Sequence, residues 1–149
     1  MKKEFVIRGK TAKGLTEVLN FGGMQKENKN MAYRIIEFIL YPSLNIGNAD
    51  AEMTGIISAG KTPMDPDNPD FSDEACIATT LFVDDAADHY PASSHTVLND
   101  TFMITQDLLL TVSNTEASDI NWQCRFESVK MTNAETAATN FKQFSMFDE

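Results

Sequence analysis

The chain has 149 residues, of which 42% are hydrophobic, and it carries a formal net charge of −10. A chain of this length is expected to form one domain and to bury roughly two-thirds of its unfolded surface, so that folding requires neither a metal nor a disulfide. The sequence excludes a membrane-spanning helix, which needs about 20 consecutive apolar residues. Glu4 and Arg8 interrupt the N-terminal apolar segment, which argues against a signal peptide and for synthesis in a cytoplasm.

The charge is distributed unevenly along the chain. Residues 1–34 contain eight basic and three acidic residues, a net charge of +5, whereas residues 35–149 contain four basic and nineteen acidic residues, a net charge of −15. The acidic body is expected to repel nucleic acid, while the basic N-terminal part is able to meet an acidic surface. That surface is either nucleic acid or the acidic body of a neighbouring copy; the alternative is a solvated charged face.

Two strands are predicted near the N-terminus. Residues 4–8 alternate, with Phe5 and Ile7 on one face, and residues 15–21 form the second candidate. Residues 1–14 are also a candidate N-terminal arm that contacts a neighbouring subunit.

Residues 31–41 are the most hydrophobic stretch, apolar on both faces apart from Arg34 and Glu37. Their length allows a helix, but their β-branched and aromatic residues favour a strand, which Pro42 ends. A strand that is apolar on both faces is expected to be buried on both, either within a sandwich or against another subunit.

Further strands are predicted in the middle of the chain, at residues 52–59, 75–83, 96–98 and 102–104. Between the first two lies an irregular acidic segment, residues 60–74. Its four aspartates have the oxygen density of a calcium site but not the glycine and spacing of an EF-hand; they are Asp65, Asp67, Asp70 and Asp73. The alternative is that its prolines stiffen a long excursion of the chain.

Residues 107–131 are predicted to form an antiparallel hairpin with one apolar face. Leu108 and Leu110 share a face of the first half, and Trp122 and Phe126 share a face of the second, with a polar turn at residues 114–119. The alternation slips after Glu127, so we expect a β-bulge near Ser128.

The final segment, residues 132–149, predicts a helix and an apolar tail. Thr132 and Glu135 have the spacing of a capping box. Four residues recur with helical spacing and form a narrow apolar stripe, namely Ala134, Ala137, Ala138 and Phe141. The tail residues either fold back onto the domain or dock on another chain; they are Phe144, Met146 and Phe147.

Together these elements predict an all-β fold, a single antiparallel β-sandwich domain of residues 1–149, expected to be a jelly roll, with a short C-terminal helix. Trp122, Phe126, Leu108 and Leu110 are expected to fill its core.

No motif in the sequence predicts catalysis, and we expect a protein that is not an enzyme. His89 and His95 lie near acidic residues but in no metal-ligand spacing, and Ser93 or Ser94 beside His95 lacks the surroundings of a catalytic serine. The glycines do not form a phosphate-binding loop. Cys76 and Cys124 are expected to be buried thiols, with a disulfide as the alternative.

In the C-terminal third, residues 104–142 contain Ile-Asn-Trp at 120–122, Glu-Ser-Val-Lys at 127–130 and a short helix rich in alanine. With this pattern, the segment resembles small β-sandwich virion proteins of bacteriophages. The resemblance implies a capsid or capsid-associated subunit that assembles in many copies and is located in the virion. It implies no cofactor and no catalytic residue.

The sequence therefore predicts a non-enzymatic virion subunit that self-assembles or binds other coat proteins, with nucleic acid contacted through the basic N-terminal part alone. The interface candidates are Lys2, Lys3, Arg8, Arg34, Phe141, Phe144, Met146 and Phe147. Two alternatives remain. One is a ligand-binding module for carbohydrate or a receptor, as in a tail or fibre protein, with Phe71 or Tyr90 as its platform; the other is a calcium-dependent enzyme or adhesin domain.

Overall fold

The computed structural model of the protein describes residues 3–22, 30–43, 51–85, 90–115 and 118–147. Within these ranges the chain forms eight β-strands and a 15-residue C-terminal helix. In chain order the elements are β1 (Glu4–Thr11), β2 (Thr16–Leu19), β3 (Met31–Pro42), β4 (Ala51–Ala59), β5 (Cys76–Asp85), β6 (Tyr90–Leu98), β7 (Leu108–Asn114), β8 (Ile120–Lys130) and α1 (Asn133–Phe147).

The strands form two antiparallel sheets whose inner faces share a hydrophobic core. The three-stranded sheet has the order β1-β8-β3, and the five-stranded sheet has the order β2-β7-β4-β5-β6. The predicted antiparallel β-sandwich with a short C-terminal helix is therefore confirmed.

The jelly-roll variety of the sandwich stays a prediction. A jelly roll has eight strands in two sheets, but here the eight strands divide into three and five. The division is unequal because β6 pairs with β5. β6 also contacts β3 of the other sheet, where the Thr96 hydroxyl donates to the Phe38 carbonyl at 3.1 Å.

The side chains predicted for the core are buried. Leu108, Leu110 and Phe126 have no exposed surface, and Trp122 is 7% exposed. The indole of Trp122 occupies the space that a side chain on the paired residue Gly9 would need, since a Cβ there would lie 2.7 Å from Trp122 Cζ2. Trp122 Nε1 donates to Thr11 Oγ1 at 2.9 Å, which satisfies the buried N–H group.

The predicted hairpin of residues 107–131 is wrong. β7 lies between β2 and β4 in one sheet, whereas β8 lies between β1 and β3 in the other. The connection between β7 and β8 therefore crosses from sheet to sheet. Alternation shows which face of a strand is buried, but it does not show which strand is its hydrogen-bonded neighbour.

The β-bulge lies in β3 and not near Ser128. The pairing of β3 with β8 shifts between Ile35 and Glu37, which leaves Ile36 as the extra residue. On its other side, β8 pairs with β1 over eight residue pairs without a shift.

The predicted burial of β3 on both faces is wrong within this chain. β3 is an edge strand, and Phe38 and Leu40 face the core, whereas Ile39 is 42% and Tyr41 56% exposed. A position in the middle of the sandwich is therefore ruled out for this segment. A contact with another subunit stays a prediction.

The strand predicted at residues 4–8 is confirmed, and contact of residues 1–14 with a neighbouring subunit stays a prediction. Residues 4–11 are β1 and pair with β8 along their whole length. Phe5 and Ile7 pack against the core, so the apolar alternation of this segment explains its place in the sheet.

Candidate functional site

The helix α1 begins with the predicted capping box. The amide of Glu135 donates to Thr132 Oγ1 at 3.2 Å, and the amide of Thr132 donates to Glu135 Oε2 at 3.3 Å. These bonds satisfy amides that have no partner in the first turn of a helix.

A polar face of α1 is turned toward the rest of the protein. Gln143 is 2% exposed, and its Oε1 accepts hydrogen bonds from the amides of Thr105 at 2.9 Å and Gln106 at 3.1 Å. Its Nε2 donates to the carbonyl of Met103. Gln143 thus satisfies three backbone groups of the segment that precedes β7.

Further contacts lie on the same side of α1. The Thr136 hydroxyl donates to Asn30 Oδ1 at 2.9 Å, and Lys142 forms an ion pair with Glu74 at 3.3 Å. Met146 packs against the core. The attachment of α1 to the sandwich is therefore mainly polar.

The apolar stripe of α1 faces solvent. Phe141 is 79% exposed and Phe144 is 55% exposed. Ala134, Ala137 and Ala138 are exposed as well. These five residues follow helical spacing, and we call them the helix surface.

The predicted tail residues have different surroundings. Phe144 belongs to the helix surface, whereas Met146 has folded back onto the core. The side chain of Phe147 lies outside the described part of the protein. Docking of Phe141 and Phe144 on another chain stays a prediction.

The outer face of the three-stranded sheet carries a second exposed apolar group. The group consists of two sets of residues paired across β1, β8 and β3. One set is Arg8, Gln123 and Ile39, and the other is Lys10, Asn121 and Tyr41. With Gly9 and Trp122, these six residues line a depression of about 520 Å³. We call the six residues the outer-sheet surface.

Charge is uneven on this outer face. In the row next to the outer-sheet surface, Arg125 lies 4.0 Å from the carboxylate of Glu4, and Glu37 accepts a hydrogen bond from Gln123 at 2.9 Å. Among the six residues of the outer-sheet surface, Arg8 and Lys10 are basic and none is acidic. The outer-sheet surface therefore combines exposed apolar groups with positive charge.

The basic residues predicted for an interface occupy different environments. Lys3 and Arg8 are exposed, and Lys2 lies outside the described residues. Arg34 is partly exposed and donates to the carboxylate of Glu127, which is 6% exposed. Arg34 therefore balances a buried carboxylate within its own subunit.

Sequence reasoning did not name Lys10, Ile39 or Tyr41 as interface candidates. The alternation of Ile39 and Tyr41 with the buried Phe38 and Leu40 would have identified the two apolar residues, but it gives no signal for Lys10. The sequence shows that residues 31–41 are apolar on both faces. Only the order of strands in the sheet shows that β3 is an edge strand.

The four aspartates of the acidic segment accept hydrogen bonds from nearby protein groups. Asp67 accepts the hydroxyls of Thr54 at 2.6 Å and Ser113 at 3.1 Å, which ties the segment to the outer face of the five-stranded sheet. The other three each accept the amide two residues later, as in Asx turns. The side-chain and backbone hydrogen bonds from Ser72 lower the pKa of Asp70.

Calcium at these four aspartates stays a prediction. Across residues 3–22, 30–43, 51–85, 90–115 and 118–147, no group of three or more His, Cys, Asp or Glu side chains is placed to hold a metal ion. Asp67 ties the segment to β4 and β7 through Thr54 and Ser113.

Both cysteines are buried free thiols, and they lie in different sheets. Burial is the main cause that raises the pKa of each thiol, with smaller contributions from Glu37 at Cys124 and from Asp73 and Asp70 at Cys76. A raised thiol pKa opposes formation of the reactive thiolate.

His95 is exposed on β6, and His89 lies outside the described residues. Ser94 precedes His95 on the strand, so their side chains point to opposite faces of the sheet. That geometry argues against a pair of Ser94 with His95, whereas Ser93 lies on the same face of the strand as His95.

A groove of about 430 Å³ lies beside α1. Phe71, Val97, Phe102 and Lys142 are among the residues that line it. Phe71 is 63% exposed, as a binding platform requires. The side chain of Tyr90, the other platform candidate, lies outside the described part.

No protein-family model matches the sequence, and a search of curated proteins gives no significant match. Within the described ranges, no helix combines the length and the apolar character needed to cross a membrane.

Proposed function

We propose that the protein is a non-enzymatic structural subunit of a bacteriophage virion, a capsid or capsid-associated protein that assembles with copies of itself or with other coat proteins. The observation that carries the proposal is the helix surface, on which Phe141 is 79% and Phe144 55% exposed. Apolar stripes of surface helices normally face a core, and contiguous exposed apolar patches mark interaction sites.

The topology supports the same class of protein. β1 pairs with β8, β2 with β7 and β4 with β5, as when one long hairpin is rolled into two sheets. Apart from β6, this is the pairing expected of a jelly roll, a fold used by viral capsid proteins. The resemblance of residues 104–142 to phage virion proteins points in the same direction.

Light scattering coupled to size-exclusion chromatography tests the assembly part of the proposal. We expect the mass to rise with protein concentration at low salt, and the rise to be smaller at high salt because charged groups border the helix surface. A monomer at every concentration and salt level would contradict self-assembly.

Mass spectrometry of purified particles tests the virion part. We expect peptides of this chain in particles of the phage that encodes it, at many copies per particle. Peptides found in the infected-cell lysate and absent from the particles would contradict a structural role.

A carbohydrate-binding module is the second candidate function. The exposed Phe71 in its groove favours it, since sugars are commonly bound against an aromatic platform beside polar groups such as Asn99 and Lys142. A glycan array tests this function, with Phe71→Ala as the control; binding that is the same with Phe71→Ala would contradict the proposed platform.

A further inference from the structure

We infer that two copies of the chain pair through β6, so that their five-stranded sheets join edge to edge in a two-fold dimer. The contact is formed by residues 92–98, which we call the β6 edge. The inference rests on the proposed function, because it takes a second copy of this chain as the partner. It adds the contact surface, the symmetry of the contact and the register of the paired strands.

The backbone of the β6 edge has hydrogen-bonding groups that point away from its own sheet. β6 is the last strand of the five-stranded sheet and pairs with β5 alone. The amide of Asn99 donates to the Ile77 carbonyl at 2.8 Å, so residues 97, 95 and 93 also direct their backbone groups toward β5. The alternate residues direct theirs outward, namely Ser94, Thr96 and Leu98. Within the described ranges, no backbone group pairs with these outward groups.

The β6 edge also lacks the features that usually keep an edge strand from pairing. Such strands are normally protected by charged side chains, by proline, by a bulge or by a covering element. Residues 92–98 contain no Asp, Glu, Lys, Arg or Pro. Residues 92–97 are exposed, so the strand is open on both faces. Pro91 and the register shift opposite Val83 lie beyond one end and limit the unprotected stretch to the β6 edge.

The other three sheet edges of the described part of the chain are protected. On β3, Tyr33 exchanges two backbone hydrogen bonds with Ile104, and the Phe38 carbonyl accepts the Thr96 hydroxyl. β1 carries charged side chains, and β2 has only four residues, one of which is acidic. The β6 edge is therefore the place where this fold accepts a further strand.

The chemistry of the β6 edge favours a second copy as the source of that strand. A free sheet edge binds an extended segment through main-chain hydrogen bonds. Each copy carries a net charge of −10, so two copies repel each other least where the surfaces that meet carry no charge. The β6 edge is both extended and free of acidic and basic residues. Two β6 edges are therefore complementary to each other, as an isologous two-fold contact requires.

The length of the β6 edge determines the register. Antiparallel pairing along the whole stretch places Ala92 opposite Leu98 of the second copy, and His95, the middle residue, opposite its own copy. The outward groups of Ser94 then face those of Thr96. Because the backbone groups of His95 point toward β5, the two copies of His95 form a non-hydrogen-bonded pair, in which the side chains lie closest.

Charge substitutions at His95 in the full-length chain test this register. At pH 8, where histidine is ordinarily uncharged, light scattering is expected to show a wild-type dimer. His95→Glu and His95→Lys each place like charges opposite each other and are expected to weaken the dimer at least about tenfold. An equimolar mixture of the two variants is expected to restore the dimer, because opposite charges then face each other.

A control and a second variant separate charge from strand pairing. Val18→Glu places the same charge on exposed β2, at the other edge of the same sheet, and is expected to dimerise like the wild type. Ser94→Pro removes an outward amide, which an edge strand tolerates, and is expected to abolish the dimer. Ser94 and His95 are exposed, so these variants are expected to fold, which circular dichroism checks.

Hydrogen exchange measured by NMR gives a signature of strand pairing. The amides of Ser94, Thr96 and Leu98 are expected to be protected at high protein concentration and to exchange quickly at low concentration. The amides of His95 and Val97 are expected to change less, because they bond to β5 in each subunit. High salt is expected to preserve the dimer, since it screens the repulsion between two acidic copies, whereas it weakens association through the helix surface.

Three results would overturn the inference. One is wild-type assembly that neither the His95 variants nor Ser94→Pro reduces, which leaves the proposed function standing. Another is a mixture of His95→Glu and His95→Lys that stays monomeric although each variant folds. The last is a wild-type chain that is monomeric at every concentration. In that case, mass spectrometry of purified particles still decides whether the chain is a virion protein.

Discussion

β8 and α1 are both amphipathic in sequence, but they direct their apolar residues in opposite ways. In β8, Trp122 and Phe126 face the core, whereas in α1 Phe141 and Phe144 face solvent and Gln143 faces the protein. An apolar period therefore identifies a face that needs a partner, but not where the partner is. For β8 the partner is the opposite sheet, and for α1 we propose another subunit of the virion.

The orientation of α1 follows from the backbone beneath it. The amides of Thr105 and Gln106 and the carbonyl of Met103 lie outside the strands and require hydrogen-bond partners where they are buried. Gln143 supplies both an acceptor and a donor to them. An apolar side chain facing this segment would leave these groups unpaired.

The largest expected effect contrasts a buried phenylalanine of β8 with an exposed one of α1. Phe126→Ala removes a completely buried ring and is expected to lower the free energy of unfolding by about 3–5 kcal/mol. Phe141→Ala is the matched control and is expected to change it by about 0.5 kcal/mol or less. Urea unfolding of both variants at low protein concentration measures the difference.

Equal destabilisation by the two alanine substitutions would mean that Phe141 packs within its own subunit. The low protein concentration matters because any assembly through Phe141 stabilises the wild-type chain by mass action.

The next expected effect concerns the polar attachment of α1. Gln143→Leu keeps the helix but leaves the amides of Thr105 and Gln106 without their acceptor, and we expect a loss of about 2–3 kcal/mol. Limited proteolysis should then cleave residues 132–147 faster. Lys142→Gln is the control, since an exposed ion pair contributes about 1 kcal/mol at most.

If Gln143→Leu stabilised the protein, the polar face would not be what holds α1. The expected outcome is instead that this substitution, which makes the helix more apolar, weakens its attachment.

Most of the fold was predictable from the sequence, because strand alternation depends on local geometry. The sandwich and the buried faces of β1 and β8 follow from it. The sheet partners of β7 and β8 did not, since strands that pair and strands that face each other across the core show the same alternation. The bulge at Ile36 was not predicted either: the slip in alternation that suggested a bulge lies in β8, whereas the extra residue lies in β3.

The candidate site was predictable in part. Phe141 and Phe144 were named from their apolar character, and the structure places both on one exposed stripe. The role of Gln143 was not predictable, because it depends on backbone groups some 40 residues away in sequence. The place of Arg8 and Lys10 beside Tyr41 depends on the sheet order, which no local pattern contains.

The smallest expected effect concerns how α1 remains helical while its apolar stripe is exposed in the monomer. Most helices gain their stability from packing an apolar face, so α1 depends more than β8 on local bonds. Thr132→Ala removes the acceptor for the amide of Glu135 and is expected to cost about 1 kcal/mol. Hydrogen exchange of the amides in residues 133–136 should accelerate while that of β8 stays unchanged, and Thr132→Ser should restore protection because it keeps the hydroxyl. If exchange in α1 were insensitive to Thr132→Ala, tertiary packing and not the capping box would stabilise the helix. In that case α1 would depend on packing in the same way as β8.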